Sequence, residues 1–102
     1  MKVSGVVFGA VALVLSHGVA IAGDVGAGKS AYAAKGCIGC HGADGKKPIA
    51  NYPVIGGKPA DFIKSELTKF RSKERVEPTM NAMAAGLTDA DIDNLAAYLG
   101  SL

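Results

Sequence analysis

Two cysteines and a histidine lie within one short segment, Cys37-Ile38-Gly39-Cys40-His41. Two thiols at this spacing, followed directly by an imidazole, are typical of a site where haem is attached covalently. On one helical turn both sulfurs can face the same way, so each can add to one vinyl group of a porphyrin. His41 then lies beneath the iron as an axial ligand. The segment predicts one haem c, bound covalently by Cys37 and Cys40.

Three other interpretations of the cysteines have less support. A zinc site needs a fourth ligand, but the chain has 2 cysteines and 2 histidines in all, and His17 lies in an apolar leader. A thioredoxin-like redox pair requires surrounding strands, and the sequence shows little strand pattern. A structural disulfide would not require His41.

The start of the chain has the pattern of a cleaved signal peptide. Lys2 supplies a short positive region, Val6 to Leu15 form an apolar run, and Ala20-Ile21-Ala22 fits a signal peptidase site. We expect cleavage after Ala22, with residues 1–22 as the signal peptide and residues 23–102 as one domain. The apolar run is shorter than the roughly 20 residues of a membrane helix. We therefore expect a periplasmic protein with no stable membrane insertion.

A phosphate-binding pattern occurs at Gly23 to Ser30, where the sequence fits G-x-x-x-x-G-K-[ST]. Such a loop needs a strand before it and further parallel strands carrying a magnesium-binding acid. The rest of the chain has the patterns of helices and loops, and cleavage would remove the segment before Gly23. We expect this stretch to lead into a first helix, with Asp24 near its start.

Charge gives little indication of function. The 11 basic and 9 acidic residues nearly balance, which does not favour nucleic acid binding. The basic cluster from Lys69 to Arg75 is interrupted by Glu74, so we interpret it as a solvated helix end.

Helical patterns account for most of the remaining chain. Residues 27–35 predict a helix with Gly28 and Tyr32 on one face, whereas residues 42–58 contain too many glycines and prolines for regular structure. Pro59 suits the first turn of a helix that runs to about Arg71. Its predicted apolar stripe consists of Phe62, Ile63, Leu67 and Phe70.

The end of the chain predicts two further elements. Pro78 is expected to interrupt the chain, and residues 81–85 to form a brief helical turn that ends at Gly86. Thr88 and Asp91 resemble a capping box for a last helix that stops near Gly100. The buried stripe of this helix consists of Ile92, Leu95, Ala96 and Leu99.

A second axial ligand is expected on the other side of the iron, and a methionine thioether there would favour ferrous iron. Met80 and Met83 are the candidates, and either could simply pack in the core. Met80 follows Pro78 and Thr79 in a segment predicted to be irregular, where a side chain can be aimed at the metal. We favour Met80 as the ligand and expect Met83 to pack against the porphyrin ring.

These motifs together resemble a small bacterial class I cytochrome c, of the kind also found as single halves of dihaem cytochromes. The resemblance covers essentially all of residues 23–102. The matching segments are Cys37 to Gly45, Asn51 to Gly57, Phe70-Arg71, Met80, Leu87 to Ile92, and Leu95 to Leu99.

The resemblance implies an all-α fold, with three to five short helices and loops wrapped around one covalently attached haem, and Met80 as the sixth iron ligand. It implies that the first and last helices cross beside the haem, with Gly28 allowing close approach and Tyr32 meeting Tyr98. It also implies that a loop carbonyl binds the second ring nitrogen of His41, for which Pro48 and Ala50 are the candidates.

The function predicted from these residues is that of a monomeric one-electron carrier, not an enzyme. Its partners would be redox proteins of a respiratory chain, such as a membrane oxidase, a reductase complex or a periplasmic dehydrogenase. The alternative is a haem-bearing oxidoreductase subunit or a haem ligand sensor in which the sixth position opens readily.

Overall fold

The computed structural model describes residues 23–102, so the predicted signal peptide, residues 1–22, lies outside the described residues. A short 3-10 turn, Ala43–Gly45, follows the second helix, and residues 23–102 contain no strand. The predicted all-α fold is confirmed. The five α-helices are α1 (Val25–Ala34), α2 (Ile38–His41), α3 (Ala60–Ser72), α4 (Pro78–Ala85) and α5 (Asp89–Gly100).

Helices α1 and α5 pack closely because Gly28 has no side chain. A Cβ atom at Gly28 would overlap the main-chain carbonyl of Asn94 and lie 2.7 Å from Cβ of Tyr98. Tyr32 and Tyr98 meet across the same crossing, with ring centroids 5.7 Å apart. The implied helix crossing is therefore confirmed.

The phosphate-binding pattern folds as the start of α1. Asp24 precedes the first turn of this helix, and its side chain accepts a hydrogen bond from Gly26 N. The Asp24 main-chain N–H donates to Asn94 Oδ1 at 2.8 Å, which attaches the same end to α5. The pattern thus leads into the first helix with Asp24 at its start, as predicted, although the helix begins at Val25 and not at residue 27.

The two tyrosines also tie the helix pair to the segment after His41. Tyr32 donates its hydroxyl hydrogen to the Gly42 carbonyl at 2.6 Å, and Tyr98 donates to Asp44 Oδ1 at 2.8 Å. Burial raises the pKa of Tyr32 to about 12, and the hydrogen bond to Asp44 raises the pKa of Tyr98. Both hydroxyls therefore remain protonated donors at neutral pH.

The amino end of α5 forms the predicted capping box. Thr88 Oγ1 accepts from Asp91 N at 3.0 Å, while Asp91 Oδ2 accepts from Thr88 N at 2.9 Å. This second bond is the main cause of a lowered pKa for Asp91. The predicted stripe of α5 is buried throughout, at Ile92, Leu95, Ala96 and Leu99.

The predicted apolar stripe of α3 faces one cavity, which is described below. Its four residues all belong to the cavity wall: Phe62, Ile63, Leu67 and Phe70. Ile63 and Phe70 are also buried in the hydrophobic core, whereas Phe62 is 48% exposed. The single stripe is therefore confirmed, although its members differ in burial.

Helix α4 is longer than the turn predicted for residues 81–85, because it begins at Pro78. Proline suits the first helical position, where its missing N–H would have no partner in any case. The Glu77 side chain accepts from Met80 N at 2.8 Å and so caps the helix. The prediction that Met80 lies in an irregular segment was wrong, since Met80 occupies the first turn of α4.

Among residues 23–102, none of the helices combines the length and apolar character that crossing a membrane requires.

Candidate haem site

A cavity of about 820 Å³ lies between α2, the loop around residue 53, α3 and α4. This volume falls within the roughly 300–1,000 Å³ of typical cofactor and ligand sites. Cys37, Cys40 and His41 line it on one side, and Met80 also belongs to its wall. Much of the remaining wall is apolar, including Ile55, Phe62, Leu67, Phe70, Leu95 and Leu99.

Cys37 and Cys40 are not joined in a disulfide. Both are half-buried in the cavity wall. Cys37 precedes the single turn of α2 and Cys40 lies within it, which brings both thiols to the same cavity. Burial raises the pKa of the Cys37 thiol. Both side chains can therefore attach to one large apolar group in the cavity.

His41 is the end of α2 and is only 7% exposed. Its Nδ1 lies 2.9 Å from the main-chain carbonyl oxygen of Pro53. A carbonyl only accepts, so Nδ1 carries the proton and donates it in this bond. The lone pair of Nε2 is then available for a metal, which is the arrangement expected of a metal-binding histidine.

The carbonyl at His41 belongs to neither of the two predicted residues. Pro48 and Ala50 were the candidates, but the chain turns back at this point, with Ile49 N donating to the Cys40 carbonyl at 3.0 Å. Ala50 adopts a left-handed conformation (φ 47°) within that turn. The turn brings Pro53 to the imidazole, so the prediction of Pro48 or Ala50 was wrong.

Both candidate methionines reach the cavity. Met80 is half-buried and packs against the hydrophobic core. Met83, one helical turn later, is 39% exposed. The structure therefore brings Met80 and His41 to one cavity, and Met80 is the more enclosed of the two thioethers.

Two charged residues of the cavity wall, Glu66 and Arg75, were missed at the level of the sequence. They form an ion pair with each other, and the Arg75 guanidinium lies 4.7 Å from the ring centroid of Phe70. Lys69 Nζ approaches the same carboxylate at 3.8 Å. The available signal was helical spacing, since Glu66 lies four residues from both Phe62 and Phe70 and hence on their side of α3.

The wall has the donors and the apolar character that a haem c needs. It supplies two thiols for covalent attachment, an imidazole with its Nε2 available, and thioether sulfur. Its large apolar area suits a porphyrin, and two of its charged residues, Glu66 and Arg75, are paired with each other. The residues present therefore fit the cofactor predicted from the Cys37 to His41 segment.

Comparison with known proteins agrees with this assignment. The family profile described as cytochrome c matches residues 25–102. Cytochrome c-554(548) of Halomonas halodenitrificans is 36% identical over 83 residues, which cover 78% of this chain and 98% of that protein. The thiosulfate dehydrogenase electron acceptor of Stutzerimonas stutzeri is 38% identical over 71 residues, which cover 69% of this chain but 33% of that protein.

The solved structure of cytochrome c4 from Acidithiobacillus ferrooxidans is similar in fold, with a TM-score of 0.71 and 32% identity. The superposition covers 85% of this chain and 54% of that chain. The chain thus spans nearly all of the Halomonas cytochrome, about a third of the Stutzerimonas electron acceptor and about half of the cytochrome c4 chain. With its profile match and its Cys37, Cys40 and His41 attachment pattern, the chain belongs to the cytochrome c family, whose members bind haem c covalently and carry electrons.

Proposed function

We propose that this protein is a periplasmic one-electron carrier in which His41 and Met80 are the two axial ligands of the haem iron. The observation that carries the proposal is that both side chains line one largely apolar cavity, together with the two attachment cysteines. The bound haem supplies an iron that alternates between the Fe(II) and Fe(III) states.

The proximal side depends on His41 and the loop that faces it. The Pro53 carbonyl accepts from Nδ1, which fixes the ring orientation and increases the basicity of Nε2. The Tyr52 ring stands at an angle of 60° to the imidazole, with centroids 6.2 Å apart, and limits rotation of the histidine. These contacts hold the ligand in one geometry in both oxidation states.

The distal side depends on the start of α4. Met80 is placed by a helical turn whose first residue is Pro78 and whose cap is Glu77. A thioether is a soft ligand that favours ferrous iron and raises the reduction potential. Contacts within the chain hold both His41 and Met80. We therefore propose that neither ligand leaves the iron during electron transfer.

The remaining polar groups of the wall favour a carrier rather than an enzyme. Glu66 is paired with Arg75 and Lys69, and Glu77 caps α4. These acids are engaged in structural contacts and are not grouped with a nucleophile as acid–base catalysis requires. We propose that the protein itself has no substrate and exchanges electrons with other redox proteins.

The partners proposed are a periplasmic dehydrogenase as donor and a membrane oxidase or reductase complex as acceptor. The predicted removal of residues 1–22 would release residues 23–102 as a monomer into the periplasm. A relative described as a thiosulfate dehydrogenase electron acceptor supports a dehydrogenase as one class of donor.

The axial assignment is tested by the absorption spectrum of the ferric holoprotein. We expect the weak far-red band that arises from charge transfer between methionine sulfur and ferric iron. Met80→Ala should abolish this band, whereas the matched variant Met83→Ala should keep it. A parent protein without the band would support the ligand sensor with an open sixth position, and a band that survives Met80→Ala would exclude Met80.

A further inference from the structure

The Asn81 side chain connects the end of α3, the linker of residues 73–77 and the start of α4. Its Nδ2 donates to the carbonyls of Phe70 and Arg75, each at 2.9 Å. Its Oδ1 accepts from Glu77 N at 2.9 Å. We propose that Asn81 is the positioning residue that holds Met80 at the iron, an inference that rests on the proposed role of Met80 as ligand.

The two donated bonds attach the start of α4 to the end of α3 and to the linker. Phe70 lies in the last turn of α3, and its carbonyl also accepts from Lys73 N at 3.2 Å. All five linker residues are exposed, and Val76 is 76% exposed. Arg75 holds the linker to α3, because its N–H donates to the Lys69 carbonyl at 3.1 Å and its side chain pairs with Glu66. Asn81 extends this attachment to α4, since its one side chain bonds to both segments.

The third bond places this restraint next to Met80. Glu77 N donates to Asn81 Oδ1, and in return the Glu77 carboxylate accepts from Met80 N at 2.8 Å. The main chain and the side chain of Glu77 are therefore both bonded to the first turn of α4, one to Asn81 and the other to Met80. The arrangement resembles a capping box. Loss of Asn81 would detach the start of α4 from α3 and the linker, and would remove the bond that holds Glu77, the residue whose side chain caps the main chain of Met80.

The side chain required here is specific. An amide offers two N–H donors and one carbonyl acceptor, and Asn81 uses all three groups. An aspartate keeps the acceptor but places a carboxylate against two carbonyl oxygens. A serine is too short to reach both carbonyls. Either replacement should raise the fraction of molecules in which Met80 has left the iron by about tenfold.

That fraction is measured by adding imidazole to the ferric holoprotein and following loss of the far-red band. Imidazole binds only after Met80 has moved away, so its apparent affinity is proportional to the open fraction. We expect Asn81→Asp and Asn81→Ser to bind imidazole about tenfold more tightly than the parent protein. Asn81→Ser adds no charge, so it provides the result if Asn81→Asp does not fold.

A matched control is available at Asn94, whose Oδ1 accepts from Asp24 N at 2.8 Å far along the chain from Met80. Asn94→Ala should lower the midpoint of denaturant unfolding without changing the imidazole affinity. A purely structural role for Asn81 predicts that both positions lower stability and neither changes imidazole binding.

The outcomes separate this inference from the proposed function. If the parent protein shows the far-red band and the Asn81 variants bind imidazole with unchanged affinity, the positioning role is wrong while Met80 stands as ligand. If the parent lacks the band, the axial assignment itself fails and the inference falls with it. The inference is supported if the Asn81 variants bind imidazole more tightly than the parent protein and Asn94→Ala does not.

Discussion

The α1–α5 crossing and the segment that carries Met80 are stabilised in different ways. At the crossing, Tyr32, Leu95 and Tyr98 are buried and the helices approach at a glycine. In the Met80 segment, the linker of residues 73–77 is exposed and only Ala84 of α4 is buried. Close packing thus stabilises the first region, and hydrogen bonds position the second. Global stability and iron ligation should therefore respond to different substitutions.

The largest expected effect is on stability, from a methyl group added at the crossing. Gly28→Ala would force the added Cβ into the Asn94 carbonyl, which belongs to main chain and cannot rotate away. We expect a loss of about 3 kcal/mol in the free energy of unfolding, measured with denaturant on the holoprotein. The far-red band should persist in the folded fraction, because Met80 lies in the other region.

Gly26→Ala is the matched control for this prediction. Gly26 lies in the same helix, but a Cβ there would meet only the Asp24 side chain at 3.8 Å. Because alanine is the better helix former, stability should rise by about 0.5–1 kcal/mol. Equal effects at the two glycines would mean that helix propensity, and not close packing, sets the stability of this region.

The smallest expected effect concerns the capping box of α5 and depends on pH. The bond from Thr88 N lowers the pKa of Asp91, so the folded state favours the charged carboxylate. This stabilisation is present above the ordinary carboxyl pKa of about 4 and is lost as the pH falls through the lowered value. Asp91→Asn should cost about 0.5–1 kcal/mol at pH 7 and much less at pH 2.5.

The measurement is the free energy of unfolding of both proteins at the two pH values. Glu74→Gln, in the exposed linker, serves as the control and should change stability by less than about 0.5 kcal/mol at either pH. A cost for Asp91→Asn that is the same at both pH values would show that charge at the cap contributes nothing.

The comparison also explains which features could be predicted from sequence. The capping box of α5, its buried stripe and the contact of Tyr32 with Tyr98 depend on helical spacing and close packing, so local patterns and family resemblance were sufficient. The Cys37 to His41 segment predicted its chemistry because the attachment residues are adjacent in the chain. The structure confirms the capping box, the buried stripe and the tyrosine contact. The family relationship supports the covalently bound haem.

The loops around the cavity were harder to predict, because distant contacts determine their paths. Pro53 reaches His41 through the turn at Ala50, which has a left-handed conformation. Alanine rarely adopts this conformation, so the residue type gave no indication of the turn. Pro78 was interpreted as a helix breaker when it is the first residue of α4.

A crystal structure of the ferric holoprotein tests the central claim most directly. We predict that Met80 Sδ and His41 Nε2 bind the iron from opposite sides, with His41 Nδ1 still donating to the Pro53 carbonyl. A sixth position occupied by water, by Met83 or by any other group in place of Met80 would contradict it.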